Sequence, residues 1–218
     1  MEEPRVISYS SEPFLDRPEA GKLLADELKK IVEKDAVVLG IPKGGVVIAK
    51  EIAKDLSIEF DIVLSRKIGA PFNPEFAIGA VSENGRIFID EEAAGDVSAS
   101  DEYIIKERER ELEEIKRRLK VYRTVKPKVD LEDKAVIICD DGIATGATMQ
   151  ASLWAIKQEN PKKTIVAVPI APYDSLEKIS KEADETVCLR VPDFFSAVGQ
   201  FYINFLQLDD REILALLK

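Results

Sequence analysis

Asp140 and Asp141 follow an apolar run, Ala135-Val136-Ile137-Ile138-Cys139, and precede Gly142-Ile143-Ala144-Thr145-Gly146-Ala147-Thr148. Adjacent carboxylates at the end of a buried strand can accept hydrogen bonds from a diol or hold a hydrated Mg²⁺. Gly142 and Gly146 permit a tight turn whose backbone N–H groups converge. Thr145 and Thr148 add hydroxyls where a helix begins, and such a terminus is a ready site for a phosphomonoester. Acids for a diol beside a cradle for a phosphate describe a pocket for ribose 5-phosphate.

Two further segments carry candidate chemistry. Ala36-Val37-Val38-Leu39-Gly40 reads as a buried strand that ends in Ile41-Pro42-Lys43-Gly44-Gly45. Gly40 and Gly45 have the spacing of a Walker A loop, but Val46 and Val47 stand where Lys and Ser or Thr are needed, so no P-loop forms. Ser65-Arg66-Lys67 closes the following apolar run, Phe60 to Ser65, and places two cations at a strand end that faces the ligand side of a parallel sheet. Arg66 and Lys67 are therefore candidates to neutralise a polyanion, while Lys-Gly-Gly after a strand is on its own a common turn.

The segment Cys139-Asp140-Asp141-Gly142-Ile143-Ala144-Thr145-Gly146-Ala147-Thr148 resembles the phosphoribosyl pyrophosphate (PRPP) loop of type I phosphoribosyltransferases. The resemblance implies that Asp140 and Asp141 contact the ribose hydroxyls, and Mg²⁺ through water. Ala144, Thr145, Gly146, Ala147 and Thr148 would hold the 5-phosphate. Lys43, Gly44 and Gly45 resemble the pyrophosphate loop of the same family, whose members often hold a cis peptide that aligns here with Pro42–Lys43. Arg66 and Lys67 resemble an Arg-Lys pair found before the flexible loop of several relatives. Phe14-Leu15-Asp16-Arg17, Ala20-Gly21 and the stretch Phe194 to Tyr202 are similar to a subgroup whose acceptor is unsettled.

The implied reaction displaces pyrophosphate from ribose C1 by a base nitrogen, without a covalent enzyme nucleophile. The acceptor is then a nitrogenous base. Relatives that act on 6-oxopurines carry an Asp at the position occupied here by Ala144, which counts against hypoxanthine or guanine. Phe194, Phe195, Phe201, Tyr202 and Phe205 can wall a flat base. The alternative on the same fold is a PRPP- or nucleotide-sensing protein without turnover.

The elements that must position these residues follow a strand–helix rhythm. Asp16 is a plausible cap for a helix that opens at Pro18 and carries Ala20, Leu23, Leu24, Leu28 and Ile31 on one face. Helices are also expected over Val46–Leu56, Thr148–Lys157, Ser175–Lys181 and Asp210–Leu217. Further strands are expected over Phe76–Ser82, Thr164–Ile170 and Glu185–Leu189, and Asn84-Gly85 joins the first of these to Arg86–Ile89 as a hairpin. Apolar strands on this rhythm imply a parallel twisted sheet with helices on both faces.

Residues 100–123 read as a long charged helix capped by Ser100, with Glu113–Arg117 and Glu114–Arg118 as supporting pairs. Ile105, Leu112, Ile115, Leu119 and Tyr122 form only a narrow apolar stripe, which fits a movable lid or a helix that meets another subunit. The organisation expected is one domain over 1–218, with 72–125 as a flexible loop and long-helix lid and about 190–218 as a C-terminal hood or tail. Asp16-Arg17 and the acid-rich helix are read as structural.

Composition narrows the classes. Of the 218 residues, 45% are apolar and 33% charged, which excludes a disordered or collagen-like chain. A net charge of −10 argues against nucleic acid and anionic membrane as partners. The chain has no histidine, so histidine-based triads and zinc sites are excluded. Cys139 and Cys188 each sit alone in an apolar run, as reduced thiols of the cytosol do. No run approaches the ~20 apolar residues of a membrane span, and Met1–Arg5 lacks a basic region followed by an apolar one. A soluble cytoplasmic protein that forms a homo-oligomer, a dimer, is the expectation.

Overall fold

The computed structural model describes residues 3–218, so the Met1-Glu2 start of the segment weighed above as a leader lies outside the described residues. Six strands form one parallel sheet: β1 (Arg5–Ser8), β2 (Val37–Gly40), β3 (Glu59–Ile62), β7 (Ala135–Cys139), β8 (Lys163–Ile170) and β9 (Glu185–Arg190). Their order is β1-β9-β8-β7-β2-β3, with β7 and β2 side by side near the middle. Strands β4 (Ser65–Ala70), β5 (Asn73–Ser82) and β6 (Ile87–Ile89) form a separate antiparallel sheet.

The sheet is covered on both faces because its strands are apolar on both. Val38 and Ile137 point to one side, where they pack with Leu24 and Leu28 of α1 (Arg17–Leu28) and Ile48 and Ile52 of α2 (Gly44–Leu56). Val37 and Ile138, one residue along, point the other way, as the two-residue period of a strand requires. They meet Met149 and Leu153 of α5 (Ala147–Lys157) and Leu176 and Ile179 of α6 (Tyr173–Ser180). Asp16 caps α1 by accepting from the Glu19 amide, as its type and position predicted.

Two expectations change, and one strand is new. The run 60–65 is not one strand: β3 ends at Ile62, and Ser65–Lys67 open β4 in the antiparallel sheet, Ser65 opposite Ser82. β3 is the last strand of its sheet, so beyond it the chain finds its backbone partners in β5; Val63 and Leu64, both buried, make the link apolar and hid the break. Arg5–Ser8, unassigned from sequence, pairs with β9 and closes the opposite edge. In the long helix α4 (Asp101–Tyr122) Glu113 pairs with Lys116, while Glu114 takes both Arg117 and Arg118.

Helix α4 is fastened along its C-terminal half. Ile115 and Tyr122 are buried with Val46, Leu64, and Ile213 and Leu217 of α7 (Asp210–Leu217), whereas Ile105 is half exposed. A short helix, α3 (Glu91–Asp96), precedes it. Phe88 of β6 stacks on Trp154 with ring centroids 4.7 Å apart, and Ser65 and Ser152 hydroxyls lie 3.0 Å apart, so α5 joins the two sheets. Among the described residues no helix is long and apolar enough to cross a membrane.

Candidate active site

The neighbouring C-terminal ends of β2 and β7 carry the two loops that matter, the place where open parallel sheets receive ligands. The Ile41 amide donates to the Cys139 carbonyl at 2.9 Å and binds the first loop to the second. The Pro42–Lys43 peptide is cis, at the position the resemblance indicated. Gly44 and Gly45 then open α2 against the acid pair. A Cβ on Gly45 would lie 2.5 Å from the Cys139 carbonyl oxygen and 2.9 Å from Asp140 Cα, so only glycine lets the two loops approach this closely.

The acid pair is asymmetric. Asp140 Oδ1 accepts from the Asp141 amide at 2.8 Å, and the Gly45 amide also bonds its carboxyl. Part of Asp140 still meets solvent, yet the group sits among protein atoms at the strand end. That desolvation, with the neighbouring Asp141 charge, holds its carboxyl well above the usual carboxylate range. Asp141 Oδ2 instead accepts from Arg17 Nε at 2.7 Å, with both side chains largely buried. The Tyr202 hydroxyl donates to the Asp141 carbonyl at 2.6 Å, and burial pushes its phenol far up.

The loop beyond the acids is held from outside and open within. Ile143 donates to the Ile170 carbonyl at 2.9 Å, and the Ser175 hydroxyl donates to the Ala144 carbonyl at 2.6 Å. Gly146 adopts φ +86, which turns the chain into α5. The amides of Ala144, Thr145, Gly146 and Thr148 donate to no group among the described residues, and Thr145 and Thr148 are exposed. With Asp140, Asp141 and Ala147 they line a cavity of about 330 Å³ that Glu75 and Val198 complete. Unspent amides at a helix N-terminus can receive an anion.

The candidate cations are placed differently. Arg66 and Lys67 line an adjoining cavity of about 240 Å³ with Arg110, and Glu75 and Thr148 border both cavities. Arg66 Nε donates to Glu111 at 2.6 Å, Lys67 lies 2.9 Å from Glu75, and Arg110 pairs with Glu107 and Glu111. Lys43 turns toward the C-terminal segment: its Nζ donates to the Leu208 carbonyl at 2.9 Å and lies 3.5 Å from Asp210. The aromatic cluster also divides. Tyr202 stacks between Phe14 and Phe205 beside Asp141, Phe195 packs on Phe201, and Phe194 is exposed.

Arg17, Glu75 and Arg110 were not singled out as site residues by sequence. Arg17 and Arg110 look there like ordinary helix charges and Glu75 like a turn residue; their places depend on partners brought in by the fold. Cys139, also at the β7 end, is fully buried and burial raises its thiol well above the normal range, so it is not a nucleophile. Among the described residues no group of three or more Asp, Glu or Cys side chains could hold a metal ion.

A doubly covered parallel sheet with paired acids and an open anion-ready loop at adjacent strand ends defines an α/β protein that works at its strand ends. Residues 12–206 match the family model described as the phosphoribosyl transferase domain, and the chain belongs to that family. It is 41% identical over 204 residues to "Putative phosphoribosyl transferase Rv0571c" of Mycobacterium tuberculosis H37Rv, covering 94% of this chain and 46% of that protein. The same figures hold for the corresponding protein of strain CDC 1551. The chain thus spans about half the length of the curated relatives it matches. The crystal structure of TT1426 from Thermus thermophilus is 42% identical, covers 94% of this chain and 97% of its own, and superposes with a TM-score of 0.88. The mixed α/β architecture, a six-stranded parallel sheet with helices, is that of the type I phosphoribosyltransferases.

Proposed function

We propose that the chain transfers ribose 5-phosphate from PRPP to a nitrogenous base and releases pyrophosphate. The observation that carries this reading is the cavity that Asp140 and Asp141 share with residues 144–148, of which Ala144, Thr145, Gly146 and Thr148 have unspent amides. A phosphomonoester fits the first and a vicinal diol the second.

In this reading the C1–oxygen bond to pyrophosphate breaks as a base nitrogen bonds to C1, so the chain's work is positioning and electrostatics. Thr145, Gly146, Ala147 and Thr148 grip the 5-phosphate. Asp141 accepts from one ribose hydroxyl, and Asp140 serves the other. Arg66 and Lys67 receive the pyrophosphate from the adjoining cavity. Asp140 and Asp141 would hold Mg²⁺ through water, and the ion would supply neutralising charge for the departing pyrophosphate. Residues 72–125 cover the site and exclude water. Ala144 offers no carboxylate to the base, which favours an acceptor other than a 6-oxopurine.

One observation favours a second reading, PRPP or nucleotide binding without turnover: Lys43, Arg66 and Lys67 are each held by protein oxygens rather than directed at the first cavity. Calorimetry with Mg²⁺–PRPP, ATP and NAD, followed by release of labelled pyrophosphate with a panel of bases, separates the readings. Preference for PRPP with turnover on some base is the expected result. Binding with no turnover on any base supports the sensor, and preference for ATP or NAD overturns both.

A further inference from the structure

Arg17 stands where three parts of the site meet. It occupies the first turn of α1 and is 9% exposed, unusual for an arginine on a helix start. Its Nε donates to Asp141 Oδ2 at 2.7 Å and its Nη1 to the Leu206 carbonyl at 2.8 Å. The guanidinium carbon lies 4.0 Å from the centre of the Phe205 ring. A Cβ on Gly44 would come within 3.0 Å of Nε, so the glycine that opens α2 is its fourth neighbour.

The surroundings fix this arrangement in turn. Phe14 donates to the Phe201 carbonyl and accepts from Ile203, both at 2.8 Å, and Asn204 donates to Leu15 at 2.9 Å. The residues leading into α1 and the segment 201–206 are therefore hydrogen-bonded into one edge. Tyr202 of that edge reaches the Asp141 carbonyl, so both the backbone and the side chain of Asp141 are held from it.

We propose that Arg17 is the positioning residue of the sugar site: it clamps Asp141 Oδ2, fixes that carboxylate beside Asp140, and ties its orientation to segment 201–206. This rests on the reading of Asp140 and Asp141 as the diol-binding pair. Arginine suits the task because its planar fork serves a carboxylate and a carbonyl at once while its face stacks on an aromatic ring. A lysine keeps the charge but not the simultaneous contacts. A buried pair of this kind is a poor device for stability alone, since desolvation offsets much of its attraction.

The test titrates inorganic pyrophosphate, ribose 5-phosphate and PRPP into the full chain, its Arg17→Gln, Arg17→Lys and Phe205→Ala variants, with thermal unfolding of each. A positioning role predicts that Arg17→Gln weakens ribose 5-phosphate and PRPP by about tenfold or more, a loss of one charge-assisted contact, and leaves pyrophosphate unchanged. Arg17→Lys restores part of the loss, and Phe205→Ala weakens the same two ligands to a smaller degree. Equal weakening of all three ligands, or of none, overturns the proposal. If Arg17→Gln does not fold, the other two variants decide by the same selectivity. Should the unaltered chain bind pyrophosphate but neither sugar ligand, the acid pair is not a diol site and the proposal falls with it. Should it bind all three while the Arg17 variants match it, only the role of Arg17 fails.

Discussion

The Tyr122 hydroxyl donates to Asp210 Oδ1 at 2.8 Å, and Lys43 Nζ lies 3.5 Å from the same carboxylate oxygen. The end of α4, the start of α7 and the loop after β2 are thus joined through one aspartate. Burial, and then the bond to Asp210, push the Tyr122 phenol up to about 12, while that bond holds Asp210 below the ordinary range. Tyr122→Phe removes a hydrogen bond to a charged group, worth about 1 to 2 kcal/mol with one partner exposed. A depressed carboxyl contributes stability that is present above its unfolded value and lost as pH falls through its folded one, so the variant should also lose part of the wild-type decline below about pH 4. Chemical unfolding across pH checks both, and amide exchange should quicken at the end of α4. Unchanged stability and exchange would show that the contact fastens nothing.

Gly44 tests how closely the loops must meet. A methyl group there would stand 1.9 Å from Asp141 Oδ2 and 3.0 Å from Arg17 Nε, so something in this contact must shift. Overpacking of this kind costs about 1 to 3 kcal/mol. Gly44→Ala should therefore lower the unfolding temperature and weaken PRPP in calorimetry by more than the lost stability alone explains. Wild-type affinity in this variant would mean that the carboxylate's place does not matter.

How much of this was visible in the sequence depends on how local each feature is. The strand–turn–helix over 139–148 was legible because its residues are consecutive and its flanks are set by apolar period and Gly146. Helix α1 was legible from Asp16 and Pro18 for the same reason. The division of 60–65 was not, because residues on both sides of the break are apolar and only the partners across the sheets, Gly40 and Ser82, separate them. Arg17 was read as structural because Asp141 is 124 positions away. Lys43 carries no signal that its chain turns to Leu208, and the thin stripe of α4 said nothing of α7 packing on Ile115 and Tyr122.

Asp140 gives a prediction with a defined sign. Its folded carboxyl is raised, chiefly by desolvation and then by Asp141. The folded state therefore holds a proton that the unfolded state releases above about pH 4, and stability is progressively lost as pH rises through the folded value. Asp140→Asn removes that dependence while keeping an oxygen for the Asp141 amide. The variant should equal the wild type near pH 4, exceed it at pH 7, and bind PRPP more weakly at pH 7. Unfolding curves at the two pH values with calorimetry at pH 7 check this. A variant less stable than wild type at pH 7 would place a charged, well-paired Asp140 in the folded chain.

Glu111 is the buried counterpart of the cations in the second cavity. It accepts from Arg66 Nε at 2.6 Å and from Arg110 Nη2 at 2.8 Å, and it is only 6% exposed. Any pyrophosphate that enters must compete with this carboxylate for the same two guanidinium groups. Glu111→Gln keeps the shape, removes the competing charge, and leaves Arg66 short of a counterion while Arg110 keeps Glu107. Stability should fall by about 1 to 3 kcal/mol, because an acceptor for charged donors is weakened in a buried place. Pyrophosphate affinity should rise by about tenfold or less, the effect of one competing charge in a partly solvated site, and should become more sensitive to salt. Calorimetric titration of pyrophosphate at two ionic strengths, beside unfolding curves, reads all three. Tighter binding assigns Arg66 and Arg110 to the anion; weaker or unchanged binding means that the cavity holds its cations for α4 alone.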